Sequence, residues 1–165
     1  MRRLHIAALC VPAALAAACG GADSAFDAQV FAGTWRGTWT DDAGRRGRVT
    51  LSVTDRGDSL QLACDVLGVH PLGTRPATER VVAEIRSREA VIQGHRSRTF
   101  GTVQGSLDAD GALELEAAGV SGPVQSLYAL GTWTGRELVV QVDVTYDDSL
   151  RTNRARVALR RAAGD

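Results

Sequence analysis

Apolar side chains recur at every second position through most of this chain, and that rhythm admits few folds. Val49, Leu51 and Val53 alternate with Thr50, Ser52 and Thr54; beyond the turn Arg56-Gly57-Asp58, Leu60, Leu62, Cys64 and Val66 alternate with Gln61, Ala63 and Asp65. Successive side chains of a strand point to opposite faces, so the pair reads as a hairpin with one buried and one wet face. Leu113, Leu115 and Ala117 alternate with Glu114 and Glu116 after the turn Asp108-Ala109-Asp110-Gly111. Leu138, Val140, Val142, Val144 and Tyr146 alternate with Gln141, Asp143 and Thr145, while Ala155, Val157 and Leu159 alternate with Arg154, Arg156 and Arg160. Tyr128 reads as inward-facing on the strand before Trp133. Residues 79–92 fit two readings: a helix capped by Thr78 with Glu84 and Arg88 at i, i+4, or strand with Val81, Ala83 and Ile85 on one face. Their β-branched content favours strand. About nine strands and no secure helix give an all-β chain, a single antiparallel up-and-down barrel of about eight to ten strands or, as the alternative, a β-sandwich.

A repeat favours closure into a barrel. Gly33-Thr34-Trp35-Arg36-Gly37 recurs as Gly131-Thr132-Trp133-Thr134-Gly135 and, more loosely, as Gly101-Thr102-Val103-Gln104-Gly105. Glycine weakens a strand and persists where the sheet bends or another strand approaches closely. Three such sites indicate a strongly coiled sheet. Trp35 and Trp39, on one face of the first strand, are expected to stack as a plug at one end.

The N-terminus reads as an address. Met1-Arg2-Arg3 precedes an apolar stretch from Leu4 to Ala18 that is too short for the roughly 20 residues of a membrane span. Residues 1–18 are therefore expected to be a signal peptide. The run Leu15-Ala16-Ala17-Ala18-Cys19-Gly20-Gly21 resembles the lipobox of bacterial lipoproteins, with Ala16 where Leu is usual. That resemblance implies acylation of Cys19, a flexible tether over residues 19–30, and a bacterial envelope protein held to a membrane, the periplasmic face of the outer membrane in a Gram-negative cell. The alternative is plain cleavage after Ala18. Cys10 leaves with the signal; Cys64 is then a buried lone thiol if Cys19 is lipidated, or a possible disulfide partner for Cys19 if it is not.

The 19 basic and 19 acidic residues cancel, and every basic residue is Arg. Without a basic excess, nucleic acid is a poor partner. His70 and His95 lack metal-ligand neighbours, no nucleophile elbow appears, and Asp41-Asp42 and Asp147-Asp148 read as solvated turn acids. No catalytic residue, metal or cofactor is assigned. Arg154, Arg156, Arg160 and Arg161 are expected on one outer face.

Phe31-Ala32-Gly33-Thr34-Trp35 resembles the G-x-W opening of the calycin group, which holds lipocalins, fatty-acid-binding proteins and avidins, and the Gly-Thr-Trp-x-Gly pattern is similar to that of uncharacterised bacterial lipoproteins. The calycin resemblance implies a barrel over residues 31–162 with a late arginine, Arg156 or Arg160, packed across Trp35. It further implies a monomeric, non-enzymatic module binding a small apolar ligand, with Leu62, Tyr128 and Val142 lining the pocket and Gly33, Trp35, Trp39 and Trp133 as structural residues. A side-chain-filled barrel that binds another envelope protein is the alternative, and an enzyme with its site in the barrel mouth ranks last.

Overall fold

The computed structural model describes residues 25–67, 77–97, 100–120, 124–146 and 152–163. A short helix α1 (Ala28–Phe31) leads into ten strands: β1 (Gly33–Asp41), β2 (Arg46–Asp55), β3 (Ser59–Leu67), β4 (Ala77–Arg86), β5 (Glu89–Ser97), β6 (Gly101–Asp108), β7 (Ala112–Ala118), β8 (Val124–Trp133), β9 (Glu137–Tyr146) and β10 (Thr152–Arg161). Each strand pairs antiparallel with the next, and β1 also pairs with β10, so the sheet closes as an up-and-down barrel with no sandwich seam. Closure removes the free edges that an open sheet presents to other chains. Residues 79–92 are the hairpin of β4 and β5, which settles the helix-or-strand alternative. The expected signal peptide, residues 1–18, and Cys19 lie outside the described residues, as do His70, Arg98 and the Asp147-Asp148 pair.

The glycine repeat marks tight strand contacts. A β-carbon placed on Gly37 would sit 1.9 Å from the carbonyl oxygen of Ala158 on β10, and one on Gly105 would sit 2.2 Å from that of Glu114 on β7. Any larger residue would push the ladders apart at these points. The sheet coils because backbones meet there without side chains between them.

The end of the barrel beside α1 is closed by aromatic rings. Phe26 stacks on Phe31 (centroids 5.1 Å apart), Phe31 meets Trp133 edge-on at 5.3 Å, and Trp133 meets Trp35 edge-on at 5.2 Å. Edge-to-face contacts of this kind add stability beyond their buried area. Packed structure is already present within the tether expected over residues 19–30, because Phe26 is buried and Asp27 caps α1 by accepting a hydrogen bond from the Gln29 backbone N–H. Trp35 pairs with Trp133 and not with Trp39. Four residues along an extended strand separate Trp35 from Trp39 by about 13 Å, beyond stacking reach.

The arginine over Trp35 is Arg161, and neither Arg156 nor Arg160. Its guanidinium carbon lies 5.1 Å from the Trp35 ring centre, and its Nη2 donates to the carbonyl oxygens of Gln29 (3.3 Å), Val30 (2.8 Å) and Ala32 (2.5 Å). Arg161 shares the strand face of Ala155, Val157 and Leu159, whereas Arg156 and Arg160 stand on the outer face and cannot reach a buried ring. One side chain thus combines a cation–π contact with the last carbonyls of α1, which have no partners inside the helix.

At the opposite end, Asp41 is 6% exposed and is no solvated turn acid. It accepts hydrogen bonds from the Arg45 backbone N–H (2.8 Å), from Arg45 Nε (2.7 Å) and from Asn153 Nδ2 (3.1 Å), tying the β1–β2 turn to β10. Burial by itself would raise the Asp41 pKa; the hydrogen bonds from Asn153 and Arg45 and the Arg45 charge outweigh it, and the carboxyl sits below its ordinary value. A depressed carboxyl pKa contributes stability that is full above the unfolded-state pKa and lost as pH falls through the folded one.

Two outcomes follow for stability. Trp35, with 0% exposure, should cost about 3–5 kcal/mol when cut to Ala, while outward-facing Arg36→Ala should cost well under about 1 kcal/mol; urea denaturation measures both. Asp41→Ala should cost about 1–3 kcal/mol at pH 7, and its difference from wild type should shrink as pH falls below the carboxylate range; a gap constant from pH 7 to pH 3 would contradict the assignment.

Candidate functional site

The barrel interior holds a cavity of about 310 Å³ whose wall is almost entirely aliphatic and aromatic. Its position follows from the strand alternation. The inward positions of β2, β3 and β9 that line it are Val, Leu and Cys, but Ala83 on β4, Ala90 on β5, Ala129 on β8 and Ala155 on β10 also stand at inward positions. Alanine there leaves volume that leucine would fill. Trp133 and Leu159 form part of the wall nearest the aromatic plug, and Val66, Phe100 and Val144 lie toward the other end.

Leu62 and Val142 both face this cavity. Tyr128 does not. It is 39% exposed on the outer face of β8, and its hydroxyl donates to Glu114 Oε1 at 2.7 Å. The inward residues of that strand are Leu127 and Ala129. A register shift between Val124 and Ser126 exchanges the two faces of β8, so that counting forward from buried Val124 misplaces Tyr128 by one. Counting back from Trp133 gives the correct face.

Three indoles are buried, and they differ in one respect. Trp35 Nε1 donates to Phe31 O at 3.0 Å and Trp39 Nε1 to Leu67 O at 3.2 Å. Trp39 gains its place because Gly47 lies opposite it; a β-carbon on Gly47 would come within 2.4 Å of the indole nitrogen. Trp133 is 2% exposed, and its Nε1 has no hydrogen-bond acceptor among the described residues.

Cys64 borders the cavity between Leu62 and Val66 and is a free thiol. Burial, and then the nearby charges of Asp65 and Glu79, push its pKa up to about 12. The thiolate is the reactive form, so Cys64 acts as a small apolar wall residue. Glu79 shares the inward face of β4 with Val81 and Ala83 and pairs in register with Cys64.

The wall is not equally tight all round. The β3–β4 ladder runs from Ser59↔Glu84 to Val66↔Ala77, whereas the β4–β5 ladder has only Glu84↔Val91, Ile85↔Ala90 and Arg86↔Glu89. Beyond Glu84 and Val91 these two strands diverge, and β5 shifts register against β6 between Ile92 and His95. His95 lies within β5, beyond that shift. A larger groove of about 560 Å³ lies on the outer wall over β5–β7, but it is open and edged by polar groups such as Glu89, Gln93, Gln104 and Glu114. No group of three or more His, Cys, Asp or Glu able to hold a metal occurs among the described residues.

No family model matches this sequence, and no curated protein matches it either. Solved structures do resemble its fold. A protein of unknown function from Nostoc punctiforme, of the DUF3598 family, superposes with a TM-score of 0.58 at 16% identity, over 84% of this chain and 50% of its own. This chain thus spans half the length of that protein. The S-type phycobiliprotein lyase of Guillardia theta superposes with a TM-score of 0.53 at 9% identity, over 84% of this chain and 92% of its own. At these identities the likeness is one of fold alone, that of a closed antiparallel β-barrel.

Proposed function

We propose that this barrel binds a small apolar ligand in its interior and that Cys19 anchors it, through lipid, to a bacterial envelope membrane. The observation that carries the first part is the cavity of about 310 Å³ with its aliphatic and aromatic wall. That volume lies at the lower end of small-molecule sites, which are mostly apolar and largely preformed. Removing apolar surface from water supplies the affinity, and the ligand is of about ten heavy atoms, since liquid water takes ~30 Å³ per molecule. The closed-barrel fold supports this reading, because barrels of this size are either just filled or just roomy enough for one small ligand. The alternative of a filled barrel is disfavoured by the inward alanines.

The second part rests on the sequence from Leu4 to Gly21. Loss of Arg2 and Arg3 with the signal leaves 17 arginines against 19 acids, so membrane attachment falls to the acyl chains and not to charge. A single acyl chain binds a membrane only marginally, and more than one gives stable anchoring.

A hydrophobic fluorescent probe should bind the purified domain saturably with one site per barrel. Val142→Trp, which fills the cavity, should weaken that binding about tenfold or more while the circular dichroism of the barrel is retained. Absence of saturable binding by folded wild type would overturn the ligand-binding reading. For the anchor, the full-length precursor expressed in a bacterial host should fractionate with membranes, and Cys19→Ser should appear in the soluble fraction or remain unprocessed. Identical processing and solubility of the two would remove the lipid anchor.

A further inference from the structure

We propose that the outer wall formed by β10, β1 and β2 is a docking surface for an anionic lipid bilayer, against which the barrel lies on its side. This rests on the envelope-membrane reading above and adds which face of the barrel meets that membrane.

The first observation is a concentration of like charge. Arg36 on β1, Arg46 and Arg48 on β2, and Arg154, Arg156 and Arg160 on β10 all stand exposed at outward positions of three neighbouring strands. The other outward positions of these strands are threonine, serine or alanine, so none of them is acidic. Asp42 and Asp65 lie at the margins, in the β1–β2 turn and on β3. From β9, Asp143 pairs with Arg154 at 2.8 Å and Glu137 approaches Arg160 at 4.0 Å. The side chains of Arg36, Arg46, Arg48 and Arg156 have no ion-pair or hydrogen-bond partner among the described residues. The register sharpens this, because Arg36 and Arg160 stand directly opposite each other across β1 and β10. Like charges so placed repel and cost stability, and the exposed Glu137 contact offsets little of that. Phosphate headgroups against the wall reverse the cost, since guanidinium groups meet phosphate oxygens with paired donors.

The second observation is where the wall lies. β6 is five strands from β1 in either direction round the ring, and the wall on that side carries Glu89, Glu114 and Glu116. Ten strands ~4.8 Å apart enclose a barrel at least ~15 Å wide. That exceeds the ~8 Å Debye length at physiological ionic strength, so a bilayer against the arginines is screened from the far acids although the chain as a whole is near neutral. The tether selects a bilayer over a soluble polyanion. Six residues carry the chain from Cys19 to Ala25, a reach of at most ~20 Å. The chain enters at the closed end, where the Phe26 N–H donates to Ser87 O and where Arg36 and Arg160 also lie. A tether longer than the barrel is wide lets this wall turn to the membrane that holds the lipid. The acyl chains hold the protein there, and the weaker, salt-sensitive contact of the wall orients it.

The test uses the mature chain, residues 19–165, carrying Cys19→Ser, so that no acyl chain contributes. In ~0.1 M salt, where the Debye length is ~10 Å, it should sediment with vesicles of phosphatidylglycerol and phosphatidylcholine mixed equally, and not with vesicles of phosphatidylcholine alone. Raising the salt to ~1 M, with a Debye length of ~3 Å, should release it. Arg36→Gln, Arg48→Gln and Arg156→Gln combined should weaken the partition about tenfold or more, since arginines near an anionic surface add to binding one by one. Arg80→Gln, Arg86→Gln and Arg96→Gln combined remove the same charge from β4 and β5; screened from the bilayer, that change should alter binding by about twofold or less. Both variants should keep the circular dichroism of the barrel, because exposed substitutions of this kind move stability little. Equal losses in the two variants would trace the binding to net charge and overturn the proposal. Failure of the parent chain to bind anionic vesicles, or binding indifferent to salt and headgroup, overturns it without using a variant. Capture by soluble polyphosphate of a chain that ignores anionic vesicles assigns the wall to a soluble polyanion and also overturns it. With no acyl chain in any sample, these results leave the Cys19 anchor to the fractionation experiment above, so the two readings fail separately.

Discussion

The contact of Trp35 with Trp133, held under Arg161, is the constraint from which the rest of the barrel takes its shape. The two rings belong to strands β1 and β8, which are not neighbours in the sheet, and their edge-on contact at 5.2 Å spans the barrel at one end. Phe31 and Phe26 extend the cluster outward, and Arg161 binds α1 to it through three carbonyls. A four-residue helix has too few internal hydrogen bonds to persist alone, so α1 exists because this cluster and this arginine hold it. The fork of guanidinium donors explains why arginine does this: lysine offers a point charge and cannot stack on a ring while meeting several carbonyls with one planar group. With that end plugged, the volume left by the inward alanines lies on the far side of Trp133.

Much of the fold was legible in the sequence because a period of two is a direct consequence of the pleat. The inward residues of β2, β3, β7 and β9 fall where the alternation placed them. The two misplacements have a common cause in local departures from that period. In β8 the run Leu127-Tyr128-Ala129-Leu130 carries no alternation, and the irregularity after Val124 exchanges the faces of the strand, so no local pattern marks Tyr128 as outward. In β10 the terminal Arg161 has inward parity yet reaches solvent, because the barrel ends there and the side chain folds over the rim. A charge on the inward face at a strand's last residue is a signal for such a clamp. Asp41 was missed for the opposite reason: nothing local reveals that Asn153, 112 residues away, completes its hydrogen bonds.

The candidate site was legible only in part. Leu62 and Val142 followed from parity, but no pattern announces that inward alanines on β4, β5, β8 and β10 converge on one volume. That is a property of the closed sheet, in which residues distant in sequence meet across the interior. The unpaired indole is still less visible, since Trp133 looks in sequence like a second copy of Trp35 within the same pentad. The repeats diverge in their partners. Trp35 follows α1 and finds the carbonyl of Phe31, whereas Trp133 ends its strand at a tight turn to β9 and its Nε1 has no acceptor among the described residues.

An interior volume of this size is expensive in stability. Cavities in protein cores cost about 24 cal/mol per Å³ of volume that side chains could have filled, so about 310 Å³ corresponds to ~7 kcal/mol. That is comparable with the whole 5–15 kcal/mol by which a typical domain exceeds its unfolded state. Larger residues at Ala83, Ala90, Ala129 and Ala155 would recover a sizeable share of it, and stabilising substitutions of that kind are readily accessible to a sequence. A barrel serving only as a scaffold gains nothing by retaining alanine at these positions. The ten-strand ladder, the aromatic plug and the Asp41 tie carry the stability that the interior gives up, and the retained volume is then best explained by an occupant whose own apolar surface restores the burial.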